Sequence, residues 1–257
     1  MFQLVALPAL NDNYIWLMTG SSGRSVIVDP GEAAPVLARQ DSGLSPCAIL
    51  LTHHHPDHIG GAAELAEHFG IPVYAPDDAR ISCADVRVAE GDAIELPDAG
   101  LTFSTMHLPG HTLSHVAYVG HGVAFTGDTL FSLGCGRLFE GTPAQMLVSL
   151  QRLAALPDDT RVCCGHEYTL ANAAFAQVVE PGNPALVERL AQARAARGQG
   201  QPTLPVSIAS ERATNPFLRC DQVSVAHAVA RHCGSDPGDE VATFAALRAW
   251  KDGFRAA

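Results

Sequence analysis

Lysine is almost missing from this chain. Of its 16 basic residues fifteen are arginine, and Lys251 is the one lysine. Charged residues of both signs fill only 17% of the 257 positions, and no apolar run is long enough to span a bilayer, so no membrane helix is expected. Residues 1–8 lack a basic start and a cleavage site and read as a first strand, not a secretory signal. A disulfide framework is also missing. Seven cysteines in irregular spacing fit a reducing compartment, and a cytoplasmic location is expected. The adjacent Cys163 and Cys164 read as buried thiols at a strand end, not as a redox centre. A net charge of −11 offers no basic face to a phosphate backbone, so nucleic acid is not an expected partner. What the chain does have is 47% hydrophobic residues, enough for one large domain, or one domain with a smaller appendage.

Its most informative stretch is Thr52-His53-His54-His55-Pro56-Asp57-His58. Four imidazoles and a carboxylate fall within six residues. An apolar run, residues 47–51, precedes it as a buried strand, and residues 59–66 follow as a helix. A turn between two rigid elements is a good place to gather metal ligands. Alternate residues of an extended segment share a side, which pairs His53 with His55 and turns His54 away. Asp57 and His58 then fall in the first helical turn, with Pro56 pre-set for its start. His53, His55, Asp57 and His58 are too many ligands for one tetrahedral ion that keeps an open position, so the spacing points to two metals.

The first two-thirds of the chain reads as strand-rich. Strands are expected over residues 26–28, 48–51, 72–75, 101–106, 116–119, 123–126 and 161–164, with helices over 33–39 and 143–156. Beyond residue 168 the texture becomes alanine-rich and helical, with helices over 170–179, 184–197, 222–232 and 239–250 and a polar linker over 197–205. A boundary near residue 170 divides the chain into parts 1–169 and 170–257. Three further ligand candidates stand at strand ends beside glycine: His111 in Pro109-Gly110-His111-Thr112, Asp128 after Gly127, and His166 after Gly165. Glycine lets backbone approach a site closely, and strand-end loops of a layered α/β fold collect on one edge. His68, His227 and His232 read as ordinary, His107 on the strand before Pro109 is left out of the ligand set, and His115 is favoured as structural over a ligand or a donor behind one.

In order and local context, Asp29, the His53-x-His55-x-Asp57-His58 run, His111, Asp128 and His166 resemble the metallo-β-lactamase fold superfamily across the first 170 residues. A narrower resemblance covers nearly the whole chain. The 52–58 run, Gly127-Asp128-Thr129-Leu130-Phe131, Gly134-Cys135-Gly136-Arg137, Cys164-Gly165-His166-Glu167-Tyr168-Thr169, Asn215-Pro216-Phe217-Leu218-Arg219 and Asn11-Asp12-Asn13-Tyr14 are similar to the glyoxalase II, or hydroxyacylglutathione hydrolase, family. The resemblance implies a four-layer αβ/βα sandwich at 1–169 and a helical, glutathione-binding domain at 170–257. It implies one ion on His53, His55 and His111 and a second on Asp57, His58 and His166. Asp128 would bridge them, and Asp29 would orient a ligand from behind. Asp57 and Asp128 are the expected catalytic carboxylates. Zinc is the expected metal, with iron or manganese as alternatives.

Two such ions can share a water and lower its pKa to near neutral. The resulting hydroxide suits attack on a thioester, whose thiolate leaves readily. The resemblance also implies that Arg137, Phe139, Tyr168, Arg248 and Lys251 contact the glutathione part. Arg248 and Lys251, three apart, share one helix face, and cations suit a ligand with two carboxylates. Two positions depart from the family pattern: Arg137 replaces a lysine, and Phe139 stands where tyrosine is common. The expected reaction is hydrolysis of S-D-lactoylglutathione to D-lactate and glutathione, in methylglyoxal detoxification, by a monomer acting on a small molecule. The alternative is an iron-dependent glutathione persulfide dioxygenase of the same fold.

Overall fold

The computed structural model describes residues 2–255. They form two compact units that interleave along the chain. The first takes residues up to 107, 114–127 and 163–166; the second takes 108–113, 128–162 and residues from 167 onward.

The first unit holds two sheets. In one, β1 (Gln3–Ala9), β2 (Asn13–Thr19) and β3 (Arg24–Val28) are antiparallel. The sheet continues in parallel through β4 (Ser45–Leu50), β5 (Val73–Pro76) and β6 (Val86–Val88). Parallel neighbours need crossovers, and helices α1 (Ala34–Leu37), α2 (Pro56–Ile59) and α3 (Ala62–Phe69) lie in them. Val26, Ile27, Val28, Ala48, Ile49 and Leu50 are all buried, as strands covered on both faces must be. Ile15, Leu17, Ile27, Ile49 and Val73 pack with Val36 of α1 and Leu65 of α3 in one core. The opposite face presents Trp16 to Phe125 of the second sheet, 6.4 Å between ring centroids. Trp16 Nε1 donates to the Cys164 carbonyl at 2.9 Å. The second sheet is an antiparallel meander of β7 (Ala93–Leu96), β8 (Leu101–His107), β9 (Val116–Gly120) and β10 (Val123–Gly127).

The second unit opens with a hairpin, β11 (Leu130–Phe131) and β12 (Gly134–Cys135), followed by α4 (Pro143–Ala154). Thr142 and Gln145 close a capping box on α4, with Pro143 in its first turn, so two orphan donors are satisfied reciprocally. The first half of β13 (Arg161–Cys164) pairs with β14 (Val206–Ser207). The last two residues of β13 belong to the first unit, where they extend the meander beside β10. Five helices complete the second unit: α5 (Thr169–Val179), α6 (Pro184–Gly198), α7 (Ile208–Thr214), α8 (Val223–Cys233) and α9 (Glu240–Gly253). Ala173 and Ala176 of α5 pack on Leu186 and Leu190 of α6. Phe175 meets Phe217 and Trp250, and Trp250 stacks on His232 at 4.0 Å.

A buried ionic network ties α7 to the hairpin. Glu211 accepts from Ser132 Oγ, Leu133 N and Asn215 Nδ2 at 3.0, 2.8 and 2.9 Å. Burial still pushes its carboxyl above the ordinary value. Leu133 has φ +61°, a conformation that costs a leucine about 1–2 kcal/mol; the Glu211 bond to its N–H holds it there.

One expected helix is divided. Residues 59–66 read as continuous, but α2 ends at Ile59 and α3 begins at Ala62. Gly60 and Gly61 pass against the backbone of Gly31 and Glu32, where a Cβ on either would collide.

Candidate metal centre and adjoining cavity

In the first unit the donors sit on strand ends and on α2, and His53, His58 and His166 are each oriented from behind. Asp29 closes β3 with φ +50° and is buried. Its Oδ1 accepts from Thr52 N at 2.8 Å, and its Oδ2 from Thr52 Oγ1 at 2.7 Å and His58 Nδ1 at 3.0 Å. The bond from Nδ1 fixes the tautomer that leaves the His58 Nε2 lone pair for a metal. His166 repeats the device: its Nδ1 lies 2.8 Å from Asp12 Oδ1. The freed nitrogens converge, His58 Nε2 at 3.6 Å and His166 Nε2 at 3.4 Å from Asp57 Oδ2. Asn13 Nδ2 donates to the same carboxylate oxygen at 3.1 Å. Asp57, His58 and His166 thus each offer one ligand atom within 4.8 Å of the others.

The neighbouring pair is His53 and His55. Thr52 Oγ1, having donated to Asp29, accepts from His53 Nδ1 at 3.0 Å. His53 Nε2 then stands 3.0 Å from His55 Nδ1. Two nitrogens each about 2.0–2.1 Å from a single ion lie roughly 3 Å apart, so this pair suits a shared ion. His115 stacks on His53 at 4.8 Å, 23° between planes. Gly127 passes so close to Thr52 and His115 that a Cβ would meet both, and its φ is +46°.

His111 and Asp128 belong to the second unit. His111 Nδ1 donates to the Arg137 carbonyl at 2.9 Å, and its Nε2 faces Asp128 Oδ2 at 3.4 Å. A Cβ on Gly136 would strike the Asp128 carbonyl and press on His111 Nδ1. In both units, then, histidines oriented through one nitrogen present the other toward a carboxylate. Imidazole and carboxylate together, oriented by an outer layer of carboxylates and carbonyls, are the donor chemistry of a divalent transition metal.

Within the second unit His111 and Asp128 line a cavity of about 600 Å³, together with Arg137, Phe139, Tyr168, Arg248 and Lys251. All five residues expected to contact substrate line this cavity, in different states. Arg137 is 66% exposed. Phe139 is exposed, its ring edge-on to His111 at 5.3 Å. Arg248 is buried and donates to the Cys135 carbonyl and to Asp252 Oδ1, both at 2.9 Å. Lys251 Nζ lies over the Phe175 and Phe254 rings at 5.5 and 5.8 Å. Burial, helped by Arg248 and Arg137, lowers its pKa to about 8. Cys135 also lines the cavity, and burial pushes its thiol up to about 11, which makes it a poor nucleophile.

Three parts of the site were not assigned from sequence. Asp12, in the turn after β1, and Asn13, which opens β2, orient His166 and Asp57, and Asp252 partners Arg248.

The sheets and donor set define a metal-dependent enzyme of the metallo-beta-lactamase superfamily, whose model matches residues 10–166. A solved structure of ETHE1 from Myxococcus xanthus superposes with a TM-score of 0.65 at 25% identity, covering 98% of this chain and 99% of that one. TTHA1623, solved in a di-iron-bound form, gives a TM-score of 0.53 at 34% identity over 64% of this chain and 91% of its own. Within the superfamily the chain belongs to the hydroxyacylglutathione hydrolase family. Residues 167–254 match the hydroxyacylglutathione hydrolase C-terminus. The hydroxyacylglutathione hydrolase of Xanthomonas campestris is 57% identical over 99% of this chain and 100% of its own length.

Proposed function

We propose that this protein hydrolyses S-2-hydroxyacylglutathione thioesters, S-D-lactoylglutathione first among them, to the hydroxy acid and glutathione in methylglyoxal detoxification. One observation carries the reading: His111 and Asp128 line the same cavity as Arg137, Tyr168, Arg248 and Lys251. The reacting end and the anion-binding end of a thioester therefore have a common home.

His53, His55 and His111 would hold one divalent ion, and Asp57, His58 and His166 a second, with Asp128 between them. Zinc is the first choice, with iron or manganese next. Ions so held would polarise the thioester carbonyl and ionise a water at neutral pH. The chain supplies orientation. Asp29 and Asp12 keep His58 and His166 in the ligating tautomer, and Asn13 steadies Asp57. Arg137 and Lys251 attract the glutathione carboxylates, while Arg248, pinned by Cys135 and Asp252, contributes a fixed charge. Residues 1–169 would supply the catalytic part, and residues 170–257 would add most of the glutathione contacts. No side-chain acid is required for departure of the thiolate, because a free thiol has a pKa of only about 8.5. Among the described residues no disulfide joins any of the seven cysteines, which supports a cytoplasmic setting. Among the described residues no helix is long and apolar enough to cross a membrane. We read the working form as a monomer.

Thiol release from S-D-lactoylglutathione, measured with bound metal on one sample, tests this. Wild-type protein is expected to turn over rapidly and Asp128→Ala to lose both activity and metal. An Asp128→Ala protein that stays active and metal-replete refutes the assignment.

A further inference from the structure

The loop between β5 and β6 contributes no donor, yet it sends a buried carboxylate toward the donor loop. Asp78 is 7% exposed. Arg80 grips it from the solvent side, Nε to Oδ1 at 2.8 Å and a terminal nitrogen to Oδ2 at 2.7 Å. These bonds, with one from Ser114, hold the Asp78 carboxyl well below the usual carboxylate range. Arg87 fixes the loop itself by donating to the carbonyls of Pro76, Asp78 and Ile81. Asp78 is therefore placed by a loop backbone that Arg87 ties down, with Arg80 adding a half-exposed pairing.

Its Oδ2 reaches two segments that surround the metal-binding histidines. Ser114 Oγ donates to it at 2.6 Å, and His54 Nδ1 stands 3.4 Å away, at ion-pair distance. His54 sits between the donors His53 and His55, and Ser114 precedes His115, whose ring stacks on His53. Pairing Arg80 is not a sufficient role for Asp78. Arg80 is 52% exposed, and exposed ion pairs contribute little, whereas the contacts to Ser114 and His54 are inside.

We propose that Asp78 is a positioning residue of the metal centre, clamping residues 52–58 to the 114–115 segment so that His53 and His55 converge before an ion arrives. Fixing a residue's backbone costs conformational entropy. A loop already held spares the incoming ion that cost. The inference rests on the ligand set proposed above.

The test is zinc affinity of the full-length protein, by competition with a chromophoric chelator, alongside melting of the metal-free form. Asp78→Asn is expected to bind zinc about 10-fold more weakly, the lower end for residues behind the ligands. Ser114→Ala, which removes one bond and keeps the fold, should lose about 3-fold, and Arg80→Ala less than about 2-fold, as its exposed pairing predicts. Wild-type affinity in Asp78→Asn, or in Ser114→Ala should Asp78→Asn not fold, overturns the clamp. So does a loss in Arg80→Ala equal to that in Asp78→Asn, or a drop in metal-free melting with zinc affinity intact. A wild-type protein that takes up no zinc overturns the ligand set and the clamp together.

Discussion

The donors of the first unit and the cations of the second are built to different tolerances. His53, His58 and His166 each have Nδ1 engaged by an oxygen within 3.0 Å. Asp29 serves both Thr52 and His58 from a backbone conformation that few residues adopt. In the cavity only Arg248 is pinned. Arg137 approaches Asp252 at 3.6 Å while two-thirds exposed, and Lys251 touches mainly ring faces and one distant carbonyl. Donors about an ångström out of place lose an ion. Long cations meeting a flexible, charged ligand lose little by moving, because their attraction falls slowly with distance. Burial first, and the neighbouring Arg248 and Arg137 second, lower the pKa of Lys251.

This contrast can be broken most forcefully at Asp29. Asp29→Asn keeps the shape but weakens the hold on His58 and Thr52, and metal affinity should fall about 10- to 100-fold. Chelator competition checks it, and an unchanged affinity would mean that the rigid half owes nothing to its buried partners. A smaller effect is expected at Lys251. Its charge is complete below pH about 8 and is lost above it, so KM for the glutathione thioester should rise as pH passes upward through that value. Lys251→Met should raise KM about 10-fold at pH 7, consistent with a charged hydrogen bond, and leave KM flat across pH 7–9. A wild-type KM that does not change over this range removes Lys251 from carboxylate binding. The mildest change sharpens the comparison at Phe139. Phe139→Tyr restores a hydroxyl at the exposed rim and should lower KM about 2- to 5-fold with kcat unchanged, the scale of one neutral hydrogen bond.

The rigid half was the more legible one, because its donors are short-range in sequence. Alternation pairs His53 with His55, and their nitrogens do meet. Pro56 does open a helical turn carrying Asp57 and His58. The partners behind them were not legible, since Asp12 lies 154 residues from His166 and no local pattern joins them. The same holds in the cavity. Helical spacing places Arg248 and Lys251 on one face, and both line the cavity. That Arg248 is committed to a carbonyl 113 residues away depends on tertiary packing alone. Among the strands, β2 escaped notice because its residues are buried on both faces, which erases alternation. The short strands β6 and β7 and helix α7, beside a polar linker, are too brief for periodicity to register.

The chain contains two tryptophans, and each unit owns one. Trp16 is sealed between the sheets with its indole N–H on a backbone carbonyl. Trp250 rides on α9 among Arg248, Lys251 and Asp252, face to face with an imidazole. The molecule is thereby wired with two optical probes of its own. Emission from a Trp250→Phe protein reports on the sheets of the first unit, and emission from a Trp16→Phe protein on α9 of the second. Changes in the two units become separately observable events, without any attached dye.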